Sequence, residues 1–202
     1  MKDNIHSEKE ILIFNAVTKL MNEGVKLHTV KVADIAKAAG IGKGTIYDYF
    51  KSKEEILEKT LIYNMDIELS EALNQIKNLN NFKDKVYKVF EIAQKSVDNY
   101  SSVTILLLSN IGTYEFKEFL NNNAEGLDNR IKLINDTIED IIDIGYKDGI
   151  VKKQEDKEYQ EQVFNSTIMG FAHLVGCKNI TDKYELEKGK ERAYKLLIKG
   201  LN

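Results

Sequence analysis

The chain has 202 residues, of which 43% are hydrophobic and 30% are charged, with a formal net charge of −3. This composition is typical of a soluble globular protein with one large or two small domains, and the negative charge argues against a whole surface that attracts nucleic acid. The longest apolar run, Val103–Leu108, is far shorter than the roughly 20 residues that a membrane-spanning helix needs. We therefore expect no membrane partner.

Two further features of the composition concern the fold and the compartment. The chain has no proline, whereas about 5% is typical, and its hydrophobic residues recur at helical spacing. We therefore predict an all-α fold of about nine helices. A single cysteine, Cys177, excludes an intramolecular disulfide, and the N-terminus lacks a signal-peptide pattern, so we expect a cytoplasmic protein.

The first predicted helix follows a capping box. Ser7 stands at the expected N-cap and Glu10 follows three residues later. Gly24 is expected to end the helix. An apolar stripe along it, expected to support the next two helices, consists of Ile11, Phe14, Val17, Leu20 and Met21.

Residues 31–50 predict a helix-turn-helix motif. The apolar residues of Val32–Ala39 lie on one face of a helix, and Gly40 follows directly, where many helices end in the left-handed conformation. A second helix is predicted over Lys43–Phe50. Its expected core-facing residues are Ile46, Tyr49 and Phe50. In such a motif the second helix enters the major groove of DNA.

The outward face of this motif and the helix N-termini supply the predicted DNA contacts, since backbone N–H groups at a helix start can bind phosphate. The predicted DNA-binding residues are Thr29, Lys31, Gly42, Lys43, Gly44, Thr45, Tyr47, Asp48, Tyr49 and Lys53. For Asp48 two outcomes stay open. It either accepts a hydrogen bond from a cytosine amino group or, beside a phosphate, repels it.

The charge distribution leaves a second function open. Residues 1–60 carry ten lysines and nine acidic residues, a net charge of +1, and the other residues carry 19 basic and 23 acidic groups, a net charge of −4. DNA contacts must therefore come from individually placed lysines, namely Lys31, Lys43, Lys51 and Lys53. The alternative is an all-helical dimeric module that binds a ligand or a protein and does not read DNA.

The string AGIGKGTIYDYFKSKEEIL resembles the N-terminal signature of the tetracycline-repressor (TetR) family of bacterial regulators. The resemblance covers roughly residues 7–60. It departs from the family pattern at Lys31, where Ser or Thr is usual, and at Gly42, where Ser is frequent. The matching residues are Gly40, Lys43, Gly44, Thr45, Ile46, Tyr47, Tyr49, Phe50, Ser52, Lys53, Glu54 and Glu55.

The resemblance implies a homodimeric regulator, a repressor released from double-stranded operator DNA by a small-molecule effector. It implies a DNA-binding domain over residues 1–54 and an effector-binding and dimerisation domain over residues 55–202. A long helix predicted from Ser52 to Asn78 would transmit effector binding to DNA reading. Neither the effector nor the operator sequence follows from the residues.

The predicted helices of the C-terminal domain span residues 82–99, 101–112, 125–147, 158–178 and 184–201. Their aromatic residues form either plain core or the wall of an effector pocket. The candidates for the pocket are Tyr87, Phe90, Leu108, Tyr114, Phe116, Phe119, Phe164 and His173.

The last two predicted helices are more apolar than one inner face requires. The excess either faces the body of the same chain or forms a two-fold interface with a second copy, and the family resemblance favours the interface. The candidates for this interface are Phe164, Gly170, Phe171, Leu174, Leu186, Ala193 and Leu197.

No residue pattern indicates a metal site or an enzyme. His173 and Cys177 lie four residues apart on a predicted helix, but two ligands do not close a structural metal site and no third lies nearby in the sequence. No nucleophile, base and acid can be assigned together. We therefore predict no catalytic residue, no metal and no cofactor. A solvated face is expected to carry Asp136, Glu139, Asp140 and Asp143.

Overall fold

The computed structural model describes residues 6–25, 29–98, 124–152, 156–178 and 182–202. Within these ranges the chain forms eight α-helices and no strand, which confirms the all-α prediction. The helices are α1 (Glu8–Asn22), α2 (Val32–Ala39), α3 (Lys43–Tyr49), α4 (Lys53–Lys77), α5 (Phe82–Asp98), α6 (Ala124–Lys147), α7 (Lys157–Lys178) and α8 (Lys183–Leu201). The helix predicted over residues 101–112 lies outside the described residues. None of the described helices is long and apolar enough to cross a membrane.

The chain divides into two compact units, Met1–Ile67 (unit 1) and Glu68–Asn202 (unit 2). The division falls within α4, later than the boundary after residue 54 that the sequence predicted. Ile56 and Leu57 explain the difference, because both are buried in the core of unit 1. The first half of α4 is therefore part of the DNA-binding unit.

The predicted capping box starts α1. The Ser7 hydroxyl accepts a hydrogen bond from the Glu10 N–H at 3.3 Å, and the Glu10 carboxylate accepts one from the Ser7 N–H at 2.8 Å. The helix ends at Asn22, close to Gly24, whose φ of +86° places it in the left-handed region that glycine adopts easily. The boundaries of α1 thus follow from local residues, as predicted.

The core of unit 1 surrounds Phe14, which has no exposed surface. Its ring centroid lies 5.0 Å from that of Tyr63 on α4 and 5.8 Å from that of Phe50, which follows α3. Ile35 of α2 and Ile46 of α3 are equally buried in the same cluster. This one cluster therefore holds the helix-turn-helix against α1 and the start of α4.

In unit 2, the turn after α6 packs against the start of α5. The Phe82 N–H donates a hydrogen bond to the Asp148 carboxylate at 2.9 Å, so a side chain from the turn caps α5. Gly149 has a φ of +71°, which reverses the chain. A Cβ at Gly145 would stand 2.6 Å from Phe82 Cδ2 and 2.8 Å from Val151 Cγ2. The close approach of α6, its turn and α5 therefore requires glycine at position 145.

A buried lysine caps the C-terminal end of α4. Lys85, on α5, donates a hydrogen bond from its ammonium to the Ile76 carbonyl at 2.7 Å, and both residues are buried. Cations are favoured near the last carbonyls of a helix because those groups carry the negative end of the helix dipole. This bond joins the end of α4 to α5.

Candidate nucleic-acid interface and ligand cavity

The helix-turn-helix is formed as predicted. Gly40 follows α2 with a φ of +67°, and the N–H groups of Gly40 and Ile41 donate to the Lys37 and Ala36 carbonyls at 3.2 and 3.1 Å. These bonds close the C-terminus of α2 in the pattern of a glycine-ended helix. Because α3 begins only three residues later, at Lys43, the turn is tight.

The two faces of α3 differ sharply. Ile46 and Phe50 are buried, whereas Tyr47 is 50% exposed and Tyr49 is 39% exposed. The prediction that Tyr49 faces the core is therefore wrong. At about 100° per residue, Tyr49 is turned roughly 80° from the middle of the buried face that Ile46 and Phe50 define, so its ring lies at the edge of the core.

Neither helix of the motif has a side-chain N-cap. Lys31 caps α2 and Gly42 caps α3, and neither side chain bonds to the helix start. The N-cap side chains therefore do not occupy the first N–H groups of these helices, and N–H groups at a helix start can bind phosphate oxygens. Thr29 and Lys43 lie beside these two starts and are exposed.

A modified capping box starts α4. The Ser52 hydroxyl accepts from the Glu55 N–H at 3.1 Å, but the Glu55 carboxylate reaches the Lys51 N–H, at 2.6 Å, rather than that of Ser52. The Lys59 ammonium lies 3.0 Å from the same carboxylate. The Lys51 N–H, followed by the Lys59 ammonium, holds the pKa of Glu55 below its usual range. These bonds fix the first turn of α4, where Lys53 lies.

The exposed side of α3 carries an aromatic and a cationic side chain in contact. The Lys43 ammonium lies 5.8 Å from the centre of the Tyr47 ring, within the range of a cation–π interaction. Gly44 and Asp48 are exposed on the same helix, and Thr45 is half-buried. The predicted DNA-binding residues thus cluster on α3 and at the starts of α2 and α4.

Unit 2 contains an apolar cavity that offers about 520 Å³ of empty space, part of it open to solvent. Four helices contribute to its wall, and only Thr137 among the lining residues has a polar side chain. Its hydroxyl donates to the Leu133 carbonyl of the preceding turn at 2.7 Å, so it is already satisfied. The wall consists of Leu69, Ala72, Leu73, Ile76, Val89, Ile92, Ile134, Thr137, Ile138, Ile141 and Phe164.

Residues 27–60 match the family model of the tetR family of bacterial regulatory proteins. The chain is 25% identical over 197 residues to the fatty acid metabolism regulator protein of Bacillus subtilis, which covers 96% of each chain. It is 29% identical over 151 residues to the HTH-type transcriptional regulator YhgD of the same organism, 72% of this chain and 73% of that one. The helix-turn-helix region of this chain therefore matches that of TetR-family regulators.

The similarity to a solved regulator structure extends over nearly the whole length of the chain. The crystal structure of the transcriptional regulator FadR from Bacillus subtilis in complex with stearoyl-CoA superimposes with a TM-score of 0.64 and 25% identity, covering 95% of this chain and 99% of that chain. These relatives are named as regulators. The chain is a DNA-binding transcriptional regulator, as the helix-turn-helix predicted.

The effector residues predicted in this regulator are only partly at the cavity. Phe164 lines it, but Phe90 is buried in the core, and the half-buried Tyr87 ring packs 5.6 Å from that of Tyr194. His173 is exposed on α7. Four further candidates, Leu108, Tyr114, Phe116 and Phe119, lie outside the described residues.

Sequence reasoning missed most of the cavity because it searched for aromatic residues, whereas the wall is mainly aliphatic. On α4, Leu69, Ala72, Leu73 and Ile76 recur at intervals of three, one and three residues, which places them on one face of the helix. This spacing was available in the sequence. It identifies an apolar face but does not say that the face lines a cavity.

The residues predicted for the dimer interface also divide into two groups. Four of them are buried within the single chain and have little or no surface to offer a second chain, namely Phe164, Phe171, Ala193 and Leu197. Gly170 is exposed, and Leu174 and Leu186 are half-buried. Leu196 on α8, which was not among the candidates, is 61% exposed. The two-fold interface on α7 and α8 stays a prediction.

Metal ligands are not grouped in the described part of the chain. No three His, Cys, Asp or Glu side chains come together there as a metal ion requires. The side chain of Cys177 lies outside the described residues, so the His173–Cys177 pair stays a sequence observation.

Proposed function

We propose that this regulator is a homodimeric repressor that binds operator DNA through α3 and through the starts of α2 and α4. We further propose that an effector with a long hydrocarbon chain releases it by occupying the cavity in unit 2. The apolar wall of this cavity carries the proposal, because it determines which chemical class can bind there.

The wall selects hydrocarbon. Burial of apolar surface stabilises by about 25 cal/mol per Å², whereas a polar or charged group without a partner is penalised by about 1–3 kcal/mol or more. Thr137 donates its only hydroxyl proton to the Leu133 carbonyl, so a carboxylate or phosphate finds no side-chain donor among the lining residues. The bound stearoyl-CoA of the Bacillus subtilis FadR complex and the name of the fatty acid metabolism regulator support an acyl chain as the buried part of the effector.

Helix α4 connects the effector cavity with the DNA-binding unit. Its second half contributes Leu69, Ala72, Leu73 and Ile76 to the cavity wall, and its first turn carries Lys53. An effector changes DNA affinity only if it binds one arrangement of this helix better than another. The proposal is that the occupied cavity favours an arrangement in which two half-sites are no longer contacted together.

The test measures binding of the full-length protein to DNA from upstream of its own gene by fluorescence anisotropy, with a scrambled duplex as control. Stearoyl-CoA, stearate and coenzyme A are added separately. We expect tight binding to the upstream DNA alone and release by a compound that carries the acyl chain, but not by coenzyme A. Equal binding to both duplexes would contradict the operator function, and release by coenzyme A alone would contradict the role of the cavity.

Filling the cavity should uncouple the effector from DNA binding. Ala72 lies on α4 in the cavity wall, so Ala72→Phe places a ring where the acyl chain would bind. We expect operator affinity close to that of the wild type and a response to stearoyl-CoA that is weakened at least about tenfold, a change of about 1.4 kcal/mol. Gln75→Phe adds the same bulk on the exposed side of the same helix and should respond normally. A normal response of Ala72→Phe would argue against this cavity as the effector site.

Tyr47 should be a DNA contact and not a structural residue. Because half of its surface is exposed, Tyr47→Ala should leave the fold and the dimer intact while weakening operator binding about tenfold or more. Tyr146→Ala is the matched control, since Tyr146 is also 50% exposed but lies in unit 2. Anisotropy titrations and sedimentation of both variants give the comparison. Unchanged operator affinity of Tyr47→Ala would remove Tyr47 from the interface.

Gly170 tests the proposed two-fold interface. Beyond its own stretch of helix, a Cβ at this position would meet no atom of the described residues within 4 Å, so this part of the chain tolerates a side chain there. In a two-fold interface the same change occurs twice, and Gly170→Leu should weaken the dimer about tenfold or more, with Gly170→Ala having a smaller effect. Sedimentation over a dilution series measures this. A leucine variant that dimerises like the wild type would place the interface elsewhere on α7 and α8.

A further inference from the structure

We propose that Asp48 sets the base preference of each operator half-site by accepting a hydrogen bond from the exocyclic amino group of a cytosine. The inference rests on the proposed function, since it requires α3 to lie in the major groove. It goes further by assigning one base pair to one side chain, and it resolves the two outcomes that the sequence left open for this residue.

The position of Asp48 on α3 is the first argument. Ile46 and Phe50 are buried and define the direction of the core. Asp48 lies two residues after Ile46 and two residues before Phe50. At about 100° per residue, it therefore points roughly 180° away from the core. It is the outermost residue of the helix, and in a groove that direction leads to the base edges.

The neighbours of Asp48 allow close approach to the bases. Gly44 lies one turn earlier on the same side, and the space around its Cα is open within 4 Å. Without a side chain at Gly44, the helix backbone can come near the floor of the groove. The short aspartate side chain needs this close approach in order to reach a base. Lys43 and Tyr47 pack against each other on one flank of the helix and suit the phosphates there.

The charge of Asp48 is the second argument. Its carboxylate makes no hydrogen bond or ion pair with the residues that the structure describes, and no other acidic residue lies on α3. Between two phosphate backbones an unpaired carboxylate is repelled. An acid at this position is compatible with tight binding if a base donates a hydrogen bond to it.

The major-groove pattern of donors and acceptors identifies the base. Cytosine presents its N4 amino group as a donor, whereas guanine presents N7 and O6 and thymine presents O4, which are all acceptors and repel a carboxylate. Adenine has the N6 donor, but its neighbouring N7 is an acceptor and would face the second carboxylate oxygen. Cytosine is therefore the base that a carboxylate favours.

A change of base preference follows from the same chemistry. Asp48→Asn has nearly the same shape but supplies both a donor and an acceptor, the combination that pairs with N6 and N7 of adenine. We expect this variant to prefer an A·T pair where the wild type prefers C·G. Asp48→Ala removes the contact and should accept all four base pairs at that position with similar affinity.

The experiment selects DNA duplexes with a randomised core on the full-length wild type, Asp48→Asn and Asp48→Ala, and sequences the bound fraction. Anisotropy then measures each protein on the selected site and on its three variants at the assigned position. For the wild type we expect discrimination of roughly 5- to 100-fold per half-site. This preference should move to adenine in Asp48→Asn and disappear in Asp48→Ala. The preferences at the other positions should be unchanged in both variants.

The control removes the same charge elsewhere in unit 1. Asp34 is an exposed acid in the first turn of α2, so Asp34→Asn should raise the affinity for all duplexes about equally and leave the selected sequence unchanged. Selected sequences that are identical for the wild type and both Asp48 variants would overturn the role of Asp48. A wild type that selects no sequence at all would overturn the operator function itself.

Discussion

Replacing Phe14 with alanine should destabilise unit 1 by about 3–5 kcal/mol, the usual cost of truncating a buried phenylalanine. Phe14 has no exposed surface, and its ring contacts those of Phe50 and Tyr63. The cavity would lie where α1, the helix-turn-helix and α4 meet, so the surrounding helices cannot close it without moving. A loss of this size is a large part of the 5–15 kcal/mol that typically holds a domain folded.

The DNA-binding function should be lost with this core. The predicted DNA contacts depend on the packing of α2 and α3, and Ile35 and Ile46 belong to the same cluster as Phe14. The core of unit 2 shares no residue with that cluster, so its helices should stay folded. We expect an unfolding transition at lower temperature in circular dichroism, partial loss of helix signal, and loss of operator binding at temperatures where the wild type still binds.

Leu12→Ala is the matched control for Phe14→Ala. Leu12 lies on the same helix but is 39% exposed, so its truncation should change the unfolding free energy by less than about 1 kcal/mol and leave operator binding unchanged. Equal stability of the two variants would show that Phe14 is not the centre of this core.

Gly145→Ala is the second substitution with a large expected effect, and its sign is informative. Alanine usually stabilises a helix relative to glycine by about 0.5–1 kcal/mol. Here the added Cβ would lie 2.6 Å from Phe82 Cδ2 and 2.8 Å from Val151 Cγ2, and both side chains are buried. Forcing them apart should cost about 1–3 kcal/mol or more, which exceeds the gain in helix propensity.

The same displacement should affect the cap of α5. The Phe82 N–H bonds to Asp148, three residues after Gly145, so moving Phe82 strains this hydrogen bond as well. Denaturant unfolding of Gly145→Ala measures the total loss in the free energy of unfolding that these two effects cause. Asp140→Ala, at an exposed position of the same helix, should be neutral or slightly stabilising. A Gly145→Ala variant as stable as this control would mean that the α5–α6 contact is looser than the distances indicate.

Hydrogen bonds between residues close in the sequence account for the helix boundaries that the sequence determined. Ser7 and Glu10 start α1, Gly40 ends α2, and Ser52 with Glu55 starts α4, because these caps involve residues no more than five positions apart. Even there the structure changed one detail, since Glu55 bonds to the Lys51 N–H and not to that of Ser52. Likewise, the order of residues around α3 was sufficient to predict the helix-turn-helix and to show the resemblance of this region to the TetR family.

Contacts between residues distant in the sequence decided the rest. Tyr49 was predicted to face the core together with Ile46 and Phe50, but in the packed unit it is 39% exposed. An apolar residue on a helix can face the core, a cavity or a second chain, and periodicity gives the same signal for all three. Only packing distinguishes them, and it placed Phe90 and Leu197 in the core while leaving Ala72 at the wall of the cavity.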